Sequence, residues 1–291
     1  MKTRFDERFL RDLAWLAGAS RCSSGGLLAV RPTALPAGGA EWPTWRDYSP
    51  GDDYRCVDWN VCARHDEMVS RECSGGADRG VCVLVDCSRS MSVGEPSKFD
   101  LARRIAAALA AAALGRWDQL AMAMFADGVI DRLPPLRGSS RVDKVVRFLE
   151  SQDADRAPSD LARTAETLVG RGHRRGPVVV LGDFLNGDSD LRGLRTLQYH
   201  GYSPRVVHVG DRCEEEPERL GDVELCDAES EARWTTTLCE EDLARYRALF
   251  AAVCRGLRTF CIRSRIPYLR VRNDAPWQRI VFEATGLRVP G

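Results

Sequence analysis

The fold is decided by residues 81–90, which read Val81-Cys82-Val83-Leu84-Val85-Asp86-Cys87-Ser88-Arg89-Ser90. The first five are apolar without polar alternation, which is typical of a strand buried on both faces of a parallel sheet. Asp86, Ser88 and Ser90 follow just past the carboxyl end of that strand. Open α/β sheets bind ligands at this edge, so the stretch predicts a fold class and the position of a site.

Outward from this strand, strand and helix patterns alternate along the chain from about residue 78. The alternation predicts an α/β domain with a mainly parallel central sheet and helices on both faces. Asp127-Gly128 separates two apolar runs and indicates a hairpin, so we expect one antiparallel edge strand. A second hairpin is expected as an insertion near residues 222–237.

The N-terminal region differs in composition from the rest of the chain. A short amphipathic helix precedes a stretch rich in Gly, Pro and Trp with short strand candidates. We therefore expect two domains. Residues 1–76 would form an N-terminal helix and a small, partly β module, and residues 77–291 would form the α/β domain.

The overall composition excludes several classes of protein. Because 42 basic residues balance 42 acidic ones, no global field favours nucleic acid or an anionic membrane. The 11 cysteines include no C-x-x-C pair and no zinc-ligand spacing, which argues against a disulfide framework and a zinc site. The sequence contains no apolar leader at the start and no apolar stretch long enough to span a bilayer. These features predict a soluble protein of a reducing cytoplasm.

The oxygen donors after the first strand suit a hard divalent cation. Asp86, Ser88 and Ser90 supply one carboxylate and two hydroxyls, a set that Mg²⁺ accepts. Asp183 follows a second apolar strand at Pro177–Leu181, so we expect a second carboxylate at the same edge. The alternative is a strand-to-helix turn in which these short polar side chains cap backbone groups.

Two blocks of sequence resemble known families. Asp86-x-Ser88-x-Ser90 together with Asp183 resembles the metal-ion-dependent adhesion site of von Willebrand factor A-type domains. Residues 46–64, RDYSPGDDYRCVDWNVCAR, resemble the R-x-Y-x-P-G-D-D-x-R-x-x-D-W signature of the domain of unknown function 58 family. On both blocks the chain is identified as a member of that family over nearly its whole length. The resemblance implies a von Willebrand factor A-like (Rossmann-like) fold.

The same resemblance implies a function and a ligand set. It implies a non-enzymatic protein-interaction module of the bacterial cytoplasm, an adaptor or chaperone partner of a MoxR-type AAA+ ATPase and/or its client. It also implies Mg²⁺ (or Mn²⁺) held by residues matching Asp86, Ser88, Ser90 and Asp183, with a partner's acidic side chain completing the coordination. Complete sites add a Thr after the antiparallel edge strand. Ser139 stands in that region, where it is equally suited to cap the next helix.

Two other functions remain open at this point. The first is a metal-dependent phosphatase or phosphotransferase with Asp86 as its nucleophile. Enzymes of that type use D-x-D, and Ser88 in the second position cannot act as a general acid or base; no phosphate-binding glycine loop is present either. The second is a structural scaffold without metal. We predict the interaction module and no enzymatic activity.

The remaining motifs favour structural interpretations. Residues 46–64 interleave arginines and aspartates around Tyr48 and Trp59, which indicates a scaffold that attaches the small module, with partner binding as the alternative. The four histidines are isolated in sequence and are interpreted as surface or packing residues. Cys87 is predicted to be unreactive. Residues 214–216, three glutamates, are predicted to form a solvated loop, with partner docking as the alternative.

Overall fold

The structure is a computed structural model, and it describes residues 5–20, 45–47, 69–71, 80–116, 119–154, 157–171, 175–227 and 232–285. The chain divides into two compact units, one of residues 30–79 and one of residues 1–29 with 80–291. In the described part of the smaller unit, β1 (Trp45–Asp47) pairs antiparallel with β2 (Val69–Arg71).

The described residues of the larger unit form a six-stranded sheet. Its strands are β3 (Gly80–Asp86), β4 (Gln119–Ala126), β5 (Gly128–Leu136), β6 (Pro177–Gly182), β7 (Ser203–Gly210) and β10 (Tyr268–Arg272). They lie side by side in the order β10-β7-β6-β3-β4-β5. Every neighbouring pair is parallel except β4 and β5, which are antiparallel. The predicted mainly parallel sheet with one antiparallel edge strand is confirmed.

Helices cover both faces of this sheet, as predicted. They are α1 (Glu7–Ala19), α2 (Lys98–Gly115), α3 (Val142–Glu150), α4 (Leu161–Gly170), α5 (Asp188–Tyr199), α6 (Arg212–Glu215), α7 (Glu240–Arg263) and α8 (Trp277–Thr285). Apolar side chains of α1, α2, α3 and α8 form the core on one face. Those of α4, α5 and α7 pack on the other face.

Helix α2 is the central helix on the face of the sheet that α1, α3 and α8 also cover. Ser97 caps it, because the Ser97 Oγ accepts a hydrogen bond from the backbone N of Asp100 at 3.1 Å. All residues from 105 to 115 are buried, since the alanine-rich helix lies between the sheet and α1. Gly115 allows a close approach: a Cβ there would overlap the carbonyl oxygen of Ala17.

Helix α1 belongs to the sheet-bearing unit, whereas the sequence grouping placed it with the small module. Its apolar face, with Phe9, Leu13 and Leu16 each 1 % exposed, is buried in the core that contains α2. The division of the chain near residue 76 otherwise stays a prediction.

Strands β3 and β6 are neighbours at the point where the direction of winding reverses. From β3 the chain continues to β4 on one side, whereas β6 continues to β7 on the other. In open α/β sheets the crevice for ligands lies outside the carboxyl ends of the two strands at such a point. This topology brings the ends of β3 and β6 side by side.

One further pair of strands lies outside the central sheet. Strands β8 (Gly221–Cys226) and β9 (Arg233–Leu238) form an antiparallel hairpin where an insertion was expected. Of the helices in the described ranges, none combines the length and apolarity needed to cross a bilayer.

Candidate metal site at the carboxyl edge of the sheet

The loop after β3 gathers three oxygen-bearing side chains. The backbone N of Ser88 donates a hydrogen bond to Oδ1 of Asp86 at 2.8 Å, which folds the chain into a tight turn. A short 3-10 turn then begins at Arg89, and the hydroxyls of Ser88 and Ser90 are hydrogen-bonded to each other with their Oγ atoms 3.1 Å apart. Asp86, Ser88 and Ser90 are 2 %, 0 % and 8 % exposed. Three buried oxygen donors therefore converge at the end of the strand.

Asp183 reaches the same place from β6. That strand ends at Gly182, where a Cβ would lie 3.1 Å from both Cβ and Oδ2 of Asp86. A larger residue would therefore crowd Asp86, and glycine lets the two strand ends meet. Asp183 follows directly and is 4 % exposed. The structure thus places Asp86, Ser88, Ser90 and Asp183 at one edge of the sheet, and their role as metal ligands stays a prediction.

Ser139 does not lie with these four residues. Strand β5 runs back from the carboxyl edge, so its last residue, Leu136, pairs with Leu120 near the start of β4. Ser139 begins the 3-10 turn beyond it and lines a surface cleft with Leu13 of α1. The expectation that Ser139 is a ligand is wrong, because the antiparallel hairpin carries it to the opposite edge from Asp86.

Ser159 occupies the place that was expected for Ser139. It is 8 % exposed, and its side chain lies close enough to the carboxyl group of Asp86 to act to lower the pKa of that group. The next residue, Asp160, fixes the loop, because its backbone N donates to the carbonyl of Ala126 at 2.7 Å while its side chain caps α4. Because β4 ends beside the end of β3, this hydrogen bond to Ala126 holds the loop near Asp86, a contact that no local sequence pattern shows.

Lys98 is a site residue that the sequence analysis missed. It is the first residue of α2 and 0 % exposed. Its Nζ lies 2.9 Å from Oδ2 of Asp183 and 2.6 Å from Oε1 of Glu214. A helix N-terminus disfavours a cation, so a lysine directly after the cap is a signal that could have been noticed.

The run of glutamates at 214–216 is not a solvated loop throughout, which corrects that prediction. Glu214 and Glu215 lie on the short helix α6. Glu214 pairs with the buried Lys98, and Glu215 forms an ion pair of 2.7 Å with Arg270 of β10. Both side chains are drawn toward the protein because each has a cationic partner there.

The edge holds more buried negative than positive charge. Burial, and then the charge of Asp183, raise the pKa of Asp86 to about 7. Asp190 of α5 is 4 % exposed, and burial with the charges of Asp86 and Asp183 raises its pKa to about 7 as well. Burial acts to lower the pKa of Lys98, but Asp183 and Glu214 outweigh it and the pKa is raised. The carboxyl groups at this edge of the sheet therefore repel one another, and the ammonium group of Lys98 lies among them.

The oxygen atoms of Asp86, Ser88, Ser90 and Asp183 suit a cation such as Mg²⁺, whereas the neighbouring Lys98 opposes its binding. In the described part of the chain no group of three His, Cys, Asp or Glu side chains is arranged to hold a metal, so serine oxygens are needed. The 3.1 Å between the Oγ atoms of Ser88 and Ser90 matches the separation of about 3 Å between adjacent ligands around octahedral Mg²⁺. The surplus negative charge favours a cation, whereas Lys98 competes for Asp183.

Two further groups near the edge have structural partners. His208 of β7 is 2 % exposed, and its Nδ1 lies 2.8 Å from the hydroxyl of Tyr268. Burial lowers the pKa of His208 to about 4, so the imidazole is neutral at pH 7. The thiol of Cys87 is buried and donates to the carbonyl of Phe125 at 3.2 Å. Its lack of reactivity stays a prediction.

Other sequence predictions fall where the structure gives no description. The block at residues 46–64 lies outside the described residues apart from the backbone of Arg46 and Asp47, which belong to β1. His65 and His173 also lie outside them. The scaffold role of the block stays a prediction.

Comparison with known proteins identifies relatives of the chain. The model of the family described as "Protein of unknown function DUF58" matches residues 44–258. The chain is 29 % identical over 256 residues to "Uncharacterized protein Rv1480" of Mycobacterium tuberculosis, which covers 84 % of this chain and 78 % of the relative. The conserved hypothetical protein BatB from Bacteroides thetaiotaomicron is a similar solved structure, with a TM-score of 0.44 and 18 % identity over 70 % of this chain and 96 % of that one. An aerotolerance-related membrane protein from Bacteroides fragilis gives a TM-score of 0.46 and 17 % identity over 72 % and 98 %.

Proposed function

Since the chain belongs to the DUF58 family of proteins of unknown function, we propose that it is a non-enzymatic protein-interaction module that engages its partner through a divalent cation. The observation that carries the proposal is the pair of hydroxyls of Ser88 and Ser90, 3.1 Å apart and buried beside Asp86. Two hydroxyls at this separation suit neighbouring ligand positions. They lie at the sheet edge where ligands of this fold class bind.

Each residue of the site has a distinct task in this proposal. Ser88 and Ser90 would hold Mg²⁺ or Mn²⁺ directly, and Asp86 and Asp183 directly or through water. Ser159 would serve in place of the threonine of complete sites. When bound, the cation offers an open coordination position to an acidic side chain of another protein. The hydrogen bond from the backbone of Ser88 to Asp86 keeps the loop in the required turn.

The serine at position 88, where a D-x-D enzyme has its second aspartate, supports a binding role over phosphoryl transfer. Ser88 occupies the position where D-x-D enzymes carry their general acid or base, and a hydroxyl cannot replace it. Asp86 is 2 % exposed, and one of its carboxylate oxygens accepts the hydrogen bond from Ser88. Both features are poor for a nucleophile that must reach a phosphate.

The proposal includes the partner and location that the family resemblance implies. The partner would be a MoxR-type AAA+ ATPase and/or its client, and the protein would act in the cytoplasm. The chemistry of the site adds one requirement, which is an acidic side chain on the partner's contact surface.

One observation favours a second candidate function, a scaffold that needs no metal. The ammonium of Lys98 already lies 2.9 Å from Asp183, so this ion pair supplies part of the charge that a cation would supply. In such a scaffold, the oxygen cluster would stabilise the loop after β3 and nothing more.

The test compares variants rather than chelated and metal-loaded samples, because an AAA+ ATPase itself needs Mg²⁺. Purified MoxR-type ATPase is titrated by biolayer interferometry onto immobilised wild type, Asp86→Asn and Ser139→Ala. The proposal predicts loss of binding for Asp86→Asn, which keeps the hydrogen-bond acceptor for Ser88, and wild-type binding for Ser139→Ala. Equal binding by all three proteins would refute the metal bridge.

A further inference from the structure

The face of the central sheet that α4, α5 and α7 cover contains a cavity of about 230 Å³ near the β5 edge. Its floor consists of three small residues on adjacent strands, Cys82 of β3 and Ala121 and Ala123 of β4. Cys82 is paired with Ala121 in the sheet, and Ala123 lies two residues further on, so the three side chains share one face. Because these side chains are short, the sheet leaves a space beneath α4.

The walls of this cavity are apolar as well. Leu168 of α4 and Val129 of β5 line it, and both pack in the core of that face. Burial raises the pKa of the Cys82 thiol to about 12, so the thiol stays protonated and the floor carries no charge. An apolar cavity of about 150 Å³ stays dry and accepts benzene. The cavity beside β5 therefore has room for a somewhat larger apolar group.

Two arginines give this cavity a positively charged mouth. Arg132 and Arg171 are the only charged side chains among the described residues that line it. Arg132 lies on β5 directly opposite Ala123, and Arg171 follows the last residue of α4. Both arginines are exposed, so their guanidinium groups lie toward the solvent side of the cavity and not on its floor.

Neither guanidinium group is neutralised by a carboxylate. The ion pairs within the described ranges include neither Arg132 nor Arg171. The neighbouring Asp131 accepts hydrogen bonds from the backbone N of Arg132 and from Nε2 of Gln152. Since successive side chains of a strand alternate, Asp131 and Arg132 point to opposite faces of the sheet. The mouth of the cavity therefore attracts an anion.

We infer that this cavity binds a small carboxylate whose apolar part has about eight carbon atoms. The apolar part would lie on the floor of small residues, and the carboxylate would accept hydrogen bonds from Arg132 and Arg171. The planar guanidinium group suits a carboxylate because it can donate two parallel hydrogen bonds. A neutral molecule of the same shape would leave both cations unpaired. The cavity is separate from the candidate metal site, because Ala121 lies near the start of β4, whereas Asp86 ends β3.

Calorimetric titration of sodium octanoate into the whole protein tests the inference, with EDTA present so that the metal site makes no contribution. Wild type should show saturable binding at one site with a Kd below about 1 mM. Octan-1-ol has the same apolar chain without the charge, so it should bind at least tenfold more weakly.

Three variants separate the two parts of the proposed site. Arg132→Gln/Arg171→Gln should lower the affinity for octanoate at least tenfold and leave that for octan-1-ol unchanged. Lys144→Gln removes an exposed cation of α3, on the other face of the sheet, and should bind octanoate as wild type does. Ala121→Leu fills the floor and should abolish binding of both molecules.

The outcome does not depend on the buried substitution. If Ala121→Leu fails to fold, the double arginine variant still decides, because both of its positions are exposed. No saturable binding of octanoate to wild type up to about 5 mM would overturn the inference. Equal affinities for octanoate and octan-1-ol, or a double variant that binds octanoate as tightly as wild type, would overturn it as well.

Discussion

The ammonium nitrogen of Lys98 lies 2.9 Å from Oδ2 of Asp183, and both side chains are buried. A lysine therefore pairs with one of the carboxylates that the proposed function assigns to a divalent cation. Because like charges repel, Lys98 must weaken cation binding at this edge. It also keeps Asp183 and Glu214 compensated when no cation is bound, which makes Lys98 the residue that sets how strongly the site depends on metal.

Replacing Lys98 should strengthen metal binding while destabilising the metal-free protein. We expect Lys98→Met to bind Mg²⁺ at least tenfold more tightly, since Asp183 and Glu214 lose their buried counter-charge. Leaving them unpaired should lower the free energy of unfolding by about 3–5 kcal/mol in EDTA. Isothermal titration calorimetry and urea unfolding measure the two effects. The exposed Lys144→Met is the control; equal affinity of Lys98→Met and wild type would contradict the prediction.

Replacing Ser159 and replacing Ser139 should have different effects on Mg²⁺ affinity, because the two serines lie at opposite edges of the sheet. Ser159→Ala removes an oxygen donor that acts on the carboxyl group of Asp86, so we expect a several-fold loss of Mg²⁺ affinity. Ser139→Ala should leave the affinity unchanged, because β5 carries Ser139 to the opposite edge. Calorimetric titration of both variants measures this difference. The reverse order of effects would show that the loop before α4 is wrongly assigned to the site.

His208 should make stability depend on acid pH. Its pKa is lowered from the usual 6.5 to about 4 in the folded protein, so only the unfolded chain binds a proton between these values. The contribution of neutral His208 to the free energy of unfolding is complete above pH 6.5 and falls by about 1.4 kcal/mol per pH unit below it. Urea unfolding at pH 7, 6 and 5 should show this loss in wild type relative to His208→Gln. The raised pKa values of Asp86 and Asp190 have the opposite effect on the free energy of unfolding, because they favour the folded protein as the pH falls. This effect is the same in wild type and in His208→Gln, so it cancels when the two are compared. An equal pH dependence of the free energy of unfolding in both proteins would contradict the prediction.

The close approach of α1 to α2 should make Gly115 intolerant of a side chain. A Cβ at this position would overlap the carbonyl oxygen of Ala17, so α1 must move. We expect Gly115→Ala to lower the free energy of unfolding by about 1–3 kcal/mol. Gly18→Ala is the matched control, since no atom lies within 4 Å of its Cβ position. Because Gly18 lies within helix α1, Gly18→Ala should be neutral or stabilising by about 0.5–1 kcal/mol. Urea unfolding of both variants measures the difference.

Local sequence patterns were sufficient to predict a mainly parallel sheet with an antiparallel edge strand. The uninterrupted apolar run before Asp86 identified a central strand, because only burial on both faces tolerates it. Asp127-Gly128 identified the antiparallel edge, since that turn chemistry reverses a chain within a few residues. Ser97 caps α2, and a serine directly before a helix is a start signal that acts locally. Each of these features acts over a few residues and is therefore readable in sequence.

The missed site residues depend on contacts between distant parts of the chain. Lys98 and Glu214 are 116 residues apart, and no local pattern relates a lysine at a helix start to an acidic run. Ser139 was expected as a ligand because it follows the edge strand directly, whereas the return path of β5 decides which loop reaches Asp86. Tertiary packing supplied both corrections.

The most direct test of the account is a calorimetric titration of Mg²⁺ and of Mn²⁺ into wild type and Asp86→Asn, with folding of both checked by circular dichroism. Asparagine keeps the acceptor for the backbone N of Ser88, but it removes the negative charge and replaces the other carboxylate oxygen with an NH2 group. The account predicts saturable binding at one site in wild type and none in the variant. No binding to wild type up to about 10 mM metal, a concentration above the weakest dissociation constants of protein cation sites, would contradict it, as would equal binding to both proteins.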